Sequence, residues 1–509
     1  MATFAANSFA LVMAALRLFF LDIRVPRFSA WKSTNPTQGG VYIPCVFLIT
    51  SYLSVPGNQP RTLTIFGVMI RILAICSFGL LALIGVFIAL LAMTLEFTDD
   101  SRIATNLREA ITTRSVTPDN YPLSPFDHHL HKSDQFTDCV AFSIDLSNND
   151  RSLIYRVAAT PRVGSIPDIR TPCADLVTAI MAGTAKATVP YSRYWHGYIV
   201  YLRPMLSMMS LGKIHRVNAI LLYAALLLLA YRFFLLFGPW AFPVILLPFA
   251  ASADLLTMPL VTTHAVAFIW IFLSVAIIAI SLQRWSEKFE IVVALSAFAG
   301  AIFNFVSFLN NPPLAPSLIG FLVMTKFLSS TNDPDRIRRA IVNAGLVVTS
   351  WFVGFTIAWI AKWMLAASVL GTEAIREVVF QAAGGGYDST AMARQLHILE
   401  PTLYVLSEGL NHFMSYIAAS WLVAAAILAW CAATRRLNMT DITDFLILQA
   451  PLLVPVIWVE IMRFHSIAHK GFVFRDFLVF EIFPILAALM IARKATRLGD
   501  QLRPVFDKG

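Results

Sequence analysis

Long apolar runs alternate with short charged breaks through most of this chain, and one water-soluble island, residues 96–204, interrupts them. An α-helix needs about twenty apolar residues to cross the hydrocarbon core of a bilayer. A helix also satisfies its own backbone there, which an open sheet cannot do. With 58% hydrophobic and 14% charged residues, the chain lies well below the roughly one quarter charged that is usual in soluble domains. The expected fold class is an all-α polytopic integral membrane protein.

Ten segments qualify as spans: 64–95, 217–237, 239–256, 261–282, 291–309, 314–327, 344–369, 413–430, 445–462 and 477–491. The N-terminal patches can add to them, for about 10 (10–12) transmembrane helices. The expected organisation is an N-terminal cytoplasmic or interfacial segment (1–63), a first confident span (64–95) and a large extracytoplasmic loop (96–216). A bundle of about nine helices (217–493) with an outer loop at 371–412 and a cytoplasmic tail (494–509) complete it. The first span is overlong and reads as tilted or protruding; 314–327 is short and flanked by proline. No cleavable signal peptide is expected, because Arg17 interrupts the opening apolar run. No internal repeat is visible.

Orientation follows from the basic residues. With the N-terminus inside, the cytoplasmic ends carry Arg232, Arg284 with Lys288, Arg336 with Arg338 and Arg339, Arg435 with Arg436, and Arg493 with Lys494. Both termini are then cytoplasmic. The island shares the outer face with the turns at 259–264 and 310–313, the loop at 371–408, and the turn at 465–476. The net charge of +9 is spent on this asymmetry and does not indicate nucleic acid. The triple glycine 384–386 reads as a flexible linker. Cys139 and Cys173 both fall within the island, and a loop-closing disulfide is open to them in an oxidising compartment. Cys45, Cys76 and Cys431 read as packing residues.

Four groups of residues can carry chemistry. Glu96, Asp99 and Asp100 stand at the membrane–water boundary, where burial can raise a carboxylate into the range of a useful base; the plainer role is ending the helix. His465 and His469 share a helical face at a four-residue spacing. With Lys470 and Arg475 they suit an anion such as phosphate, and the spacing also leaves a divalent metal as an option. Lys362 lies within a span, where a lysine costs about 2.5–3.5 kcal/mol on insertion scales; it is either functional or snorkelling between Trp359 and Trp363. Asp254 and Glu460 stand near the outer ends of their spans as partners for Lys362 or Arg463. Arg193, Tyr194, Trp195, His196 and Tyr198, continuing to Pro204, suit an interfacial helix lying on the membrane, and the same rings suit stacking on a sugar. A Walker loop, a dinucleotide glycine fingerprint and a Gly-x-Ser-x-Gly elbow are all missing.

Three stretches resemble motifs of a bacterial multispanning protein family of poorly defined function, over residues 64–493. They are Arg193-Tyr194-Trp195-His196-Gly197-Tyr198 with Leu202-Arg203-Pro204, Gly354-Phe355 with Trp359-Ile360-Ala361-Lys362-Trp363, and His465-Ser466 with His469 and Phe474-Arg475. The layout is similar to that of GT-C-type glycosyltransferases, which combine many spans, a large first outer loop headed by an acidic residue, and a polyprenyl-phosphate sugar donor. The resemblance implies an enzyme of the bacterial inner membrane that moves a sugar from a lipid-linked donor to a glycan, glycolipid or protein acceptor. Asp99 or Asp100 would be the general base. Lys362, His465, His469 and Arg475, with Arg193 and His196, would hold substrate and the leaving phosphate. No cofactor is implied. A transporter or flippase for a lipid-linked or anionic solute is the alternative, and an acyltransferase using one of the histidines is a weaker third.

Overall fold

The computed structural model describes residues 61–122, 134–146, 150–164, 171–251, 255–284, 288–329, 334–382, 396–408, 413–434 and 437–495. Several expectations fall outside them: the N-terminal elements with Cys45, Asp254, the triple glycine, Arg435 with Arg436, and the tail beyond residue 495. Packing divides the chain into two units, Met1–Arg71 and Ile72–Gly509. The first is described only through residues 61–71, the opening turns of helix α1.

Among the described residues the chain is helical, with no strand beyond a single bridge between Arg162 and Val189. Helix α1 (Arg61–Phe97) leads into the island, which is built from α2 (Asp100–Thr112), α3 (Gln135–Asp145), α4 (Leu153–Ala159), α5 (Pro172–Met181) and α6 (Ile199–Met208). The bundle follows as α7 (Leu211–Phe237), α8 (Ala241–Ala251), α9 (Thr262–Arg284), α10 (Phe289–Val306), α11 (Leu314–Leu328) and α12 (Arg336–Leu370). Beyond α13 (Glu373–Ala382) and α14 (Glu400–Glu408) come α15 (Phe413–Ala433), α16 (Met439–Leu448) and α17 (Leu453–Ile461). Short α18 (Arg463–Ala468) and α19 (Lys470–Val473) then lead to α20 (Val479–Ala495).

Among the described residues, seven segments are long and apolar enough to cross a membrane: Ser77–Phe97, α7, α9, α10, α12, α15, and α16 with α17 as one run, Met439–Ile461. The other three expected spans contain the shorter helices α8, α11 and α20. Pro313 precedes α11 and sets its start.

Small residues set the centre of the bundle. A Cβ on Gly354 would run into the Ala297 carbonyl, and one on Gly300 into that of Trp351, so α10 and α12 pack backbone to backbone. Ser296 Oγ donates to the Val347 carbonyl and Ser350 Oγ to that of Val293, both at 2.8 Å, which ties the same pair of helices.

Charge separates the two ends of the bundle. At one end, buried Asp444 takes Arg336 at 2.9 Å and Lys494 at 2.7 Å, and Arg493 donates to the Leu236 carbonyl at 3.1 Å. At the other end sits the island. Its α3 and α5 are joined by the Cys139–Cys173 disulfide, and both cysteines are fully buried. Asp138 of α3 accepts from the backbone N–H groups of Thr262 and Thr263 at 3.0 and 3.3 Å, capping the first turn of α9.

Candidate functional site

Half of the sequence-derived site residues are already engaged in the island's own structure or in its attachment to the bundle. Asp99 is the N-cap of α2; its half-exposed carboxylate accepts from Ser101 and Arg102, and the Ser101 bonds hold its pKa down. Asp100 pairs at 2.5 Å with Arg203, which is fully buried in α6 and also donates to Thr98 Oγ1 and the Asp145 carbonyl. Burial raises the Asp100 pKa against the pull of that arginine. Lys362 is completely buried, and its ammonium donates to the carbonyls of Val157 and Ala158 at 2.8 and 3.0 Å. It therefore caps the C-terminus of α4, where a cation also answers the helix dipole. Glu460 accepts from Thr402 at 2.7 Å and faces Arg463 at 3.8 Å.

The stretch expected to lie on the membrane surface is instead an internal docking segment. Trp195, His196 and Tyr198 have no exposed surface, and the helix begins only at Ile199. Trp195 Nε1 donates to the Ala358 carbonyl at 2.7 Å, while Trp359 and Trp363 Nε1 both donate to the Arg193 carbonyl, at 2.9 and 3.1 Å. Two of the three conspicuous stretches in the sequence are thus one another's binding partners. Gly197 donates to the Phe305 carbonyl at 2.7 Å, and a Cβ there would strike the Phe305 ring. His196 is consumed by the same packing. The Tyr191 carbonyl, 2.9 Å from Nε2, can only accept, so Nε2 carries the proton and Nδ1 accepts from Tyr198 at 3.1 Å. Burial holds the His196 pKa well below the usual histidine value, which keeps the ring neutral.

The remaining residues converge. The His465 and His469 rings lie 4.6 Å apart between centroids; His465 ends within α18 and His469 caps it. Half-buried Arg193, stacked over the rings of Tyr191 and Tyr194, acts electrostatically on both histidines. Burial lowers His465 well below its ordinary value, helped by His469 and Arg193, and lowers His469 to about 4 against the opposing pull of Asp134. Arg475, almost wholly buried, meets His264 Nδ1 at 3.2 Å, and His264 Nε2 meets Asp134 Oδ2 at 3.1 Å. Burial alone would raise Asp134, but His264 and Thr137 outweigh it and hold the carboxylate below its ordinary value.

The wall of this cluster is the turn between α10 and α11. Leu309 and Asn311 both adopt positive φ, at 64° and 60°, conformations that cost non-glycine residues energy and gather at functional sites. Asn311 Nδ2 donates to the Phe472 carbonyl at 3.0 Å and to Asp476 Oδ1 at 2.9 Å, so the turn is sewn to the segment that carries the histidines. Asn310 Nδ2 and Oδ1, Ser466 Oγ, His465 Nε2 and Asp476 Oδ2 are buried without a hydrogen-bond partner among the described residues. Such groups are rare in folded proteins and concentrate hydrogen-bonding capacity for an incoming polar group. Burial drives the Asp476 pKa well above the carboxylate range.

Sequence reasoning missed Asp134, His264, Asn310, Asn311 and Asp476 as site residues. The charge-based threading put the turns carrying His264, Asn310 and Asn311 on the island face, and that was the only signal available for them. Among the described residues no group of three His, Cys, Asp or Glu side chains is arranged to hold a metal ion. Against family models, characterised proteins and solved structures alike, the chain finds no match.

Proposed function

We propose that this protein is a membrane-embedded transferase whose substrate carries a phosphate on a lipid. In the class its sequence resembles, the substrate is a polyprenyl-phosphate sugar, and the sugar passes to a glycan, glycolipid or protein acceptor. In this reading ten helical segments cross the bacterial inner membrane, with α8, α11 and α20 completing the count, and both termini lie in the cytoplasm. The basic end of the bundle faces inward and the island outward.

The observation that carries the reading is the convergence of Arg193, His465, His469 and Arg475 beneath the island, beside partnerless buried polar atoms. A departing phosphate gathers negative charge, and fixed cations and N–H donors at that point lower the barrier. Arg193 and Arg475 supply permanent charge and His469 a neutral ring, while His465, whose ring proton is turned to the Leu309 carbonyl, offers Nε2 as an acceptor. Lys362 supports this site by holding the island over it, and Asp99, Asp100 and His196 by shaping the island itself. The acceptor's base is then sought among carboxylates facing the cluster, and Asp476 is the first candidate because its Oδ2 is uncommitted.

The test is genetic and chemical. In the native host, the deleted gene is complemented with wild type, Arg475→Gln or His469→Ala at matched membrane expression, and surface glycans and lipid-linked sugars are profiled by mass spectrometry. Loss of one sugar from a glycan, with its lipid-linked donor accumulating in both variants, supports the reading. A deletion that leaves every glycan and lipid-linked sugar unchanged defeats it.

A further inference from the structure

We infer that Asp134 and His264 form a positioning relay that aims Arg475 at a phosphate-bearing headgroup, so that the anion site is complete only while the island is docked. This rests on the reading of the cationic cluster as a phosphate site. The relay joins three separate parts of the chain: Asp134 is the N-cap of island helix α3, His264 lies in the first turn of α9, and Arg475 lies in the segment before α20.

The direction of each bond follows from chemistry. A guanidinium only donates, so Arg475 Nη1 donates to His264 Nδ1 at 3.2 Å. The ring proton must then sit on Nε2, which faces Asp134 Oδ2 at 3.1 Å. Asp134 is itself fixed by Thr137, which donates from its backbone N–H at 3.2 Å and from Oγ1 at 2.6 Å. The ring is further wedged against Phe472, with centroids 5.0 Å apart. Because the guanidinium is a rigid plane of five donors, fixing one at His264 fixes the aim of the others. Bidentate recognition of a phosphate needs that fixed aim.

Electrostatics alone makes the opposite forecast. Asp134 is a negative charge facing a cationic cluster and acting on His469, so neutralising it should tighten an anion. If Asp134 acts through His264, neutralising it loosens the anion. Asn at this position keeps a good N-cap for α3, but its amide can turn an N–H toward Nε2. The ring tautomer then switches, and Nδ1–H confronts the Arg475 donor.

The experiment uses the full chain in nanodiscs at pH 7.5, with intrinsic tryptophan fluorescence as readout and inorganic phosphate and dodecyl phosphate as probes. Saturable binding of either probe by wild type, weakened tenfold or more by Arg475→Gln, establishes the anion site. Binding of dodecyl phosphate alone assigns it to a lipid-borne headgroup. The relay requires that Asp134→Asn weaken the same probe about tenfold. His264→Phe, which keeps the ring against Phe472, should weaken it similarly, and the double variant should bind no worse than His264→Phe. Melting temperature and the intact disulfide on a non-reducing gel report the fold. If Asp134→Asn binds as tightly as wild type or tighter while Arg475→Gln fails, the relay is wrong and the anion site stands. If wild type binds neither probe, the site and the relay fall together.

Discussion

The replacement Lys362→Met separates a lysine that holds the island from one that handles substrate. Methionine has nearly the same length and keeps the contact with Trp195, over whose ring the ammonium sits at 5.6 Å. What is lost is the cap on α4, made by bonds of 2.8 and 3.0 Å to two carbonyls, with Thr160 Oγ1 a weaker third partner at 3.4 Å. Two hydrogen bonds from a charged donor contribute about 3–6 kcal/mol together. Against this, removing the buried ammonium recovers about 2.5–3.5 kcal/mol on insertion scales. The balance is a loss of about 1.5 kcal/mol, or roughly a tenfold larger population with α4 released. Hydrogen exchange of nanodisc-embedded protein should read this as faster exchange over residues 153–160, with the bundle unchanged. If exchange there stays at the wild-type level while phosphate binding or activity disappears, the docking argument is refuted and Lys362 acts on substrate directly.

Other consequences are checked by stability and pH. Gly354→Ala would push a methyl into the Ala297 carbonyl, and should lower the melting temperature by separating α10 from α12, at a cost of about 1–3 kcal/mol or more. Replacing Cys139 and Cys173 by serine opens a loop of 34 residues and should cost the island about 3–4 kcal/mol, seen as faster exchange in α3 and α5. Asp138 is held at about 7 by burial, partly offset by the Thr262 and Thr263 N–H groups. Its folded pKa lies above its unfolded value, so the protonated form favours docking, and this favour is lost as pH rises from about 4 to about 7. Asp138→Asn, which has no such titration, should therefore gain on wild type between pH 5 and pH 8; a constant difference across that range would contradict the assignment. Asp444→Asn strips the shared partner from Arg336 and Lys494 and should destabilise the basic end by about 3 kcal/mol, measured as a fall in melting temperature.

Much of the bundle was legible in the sequence because its cause is local. Each of the ten apolar segments contains a helix. The island's chemistry was less so. Arginine beside tryptophan and tyrosine is the composition of a membrane-surface anchor and equally that of a buried docking segment; only burial distinguishes them, and burial depends on the WIAKW stretch far along the chain. The same holds for carboxylates. Asp99 and Asp100 were conspicuous because they follow a span, but N-capping and the pairing with Arg203 occupy them. Asp134 carries no sequence signal, and His264 and Asp476 carry only their place in turns threaded to the island face, since their partners come from distant elements and each would pass for an ordinary polar residue in a loop or helix end.

The charges near the island end sort by what surrounds them. Lys362 is met by carbonyls of island helix α4 and Asp138 by backbone N–H groups of α9, so these two groups join island to bundle, while Arg203, met by Asp100 and Thr98, holds the island together. Arg193, His465, His469 and Arg475 gather instead where the turn at Asn310 and Asn311 leaves polar atoms uncommitted. Asp134 belongs to both sets: it starts an island helix and faces His264, the neighbour of Arg475. A variant that loosens docking should therefore weaken anion binding even when it lies far from the cluster, whereas one that disables an anion ligand should leave docking intact. That asymmetry is measurable by comparing Lys362→Met with His469→Ala. The first should lose both exchange protection over 153–160 and phosphate affinity, the second affinity alone. Loss of protection in His469→Ala would mean that the cluster holds the island in place, and that its histidines are structural.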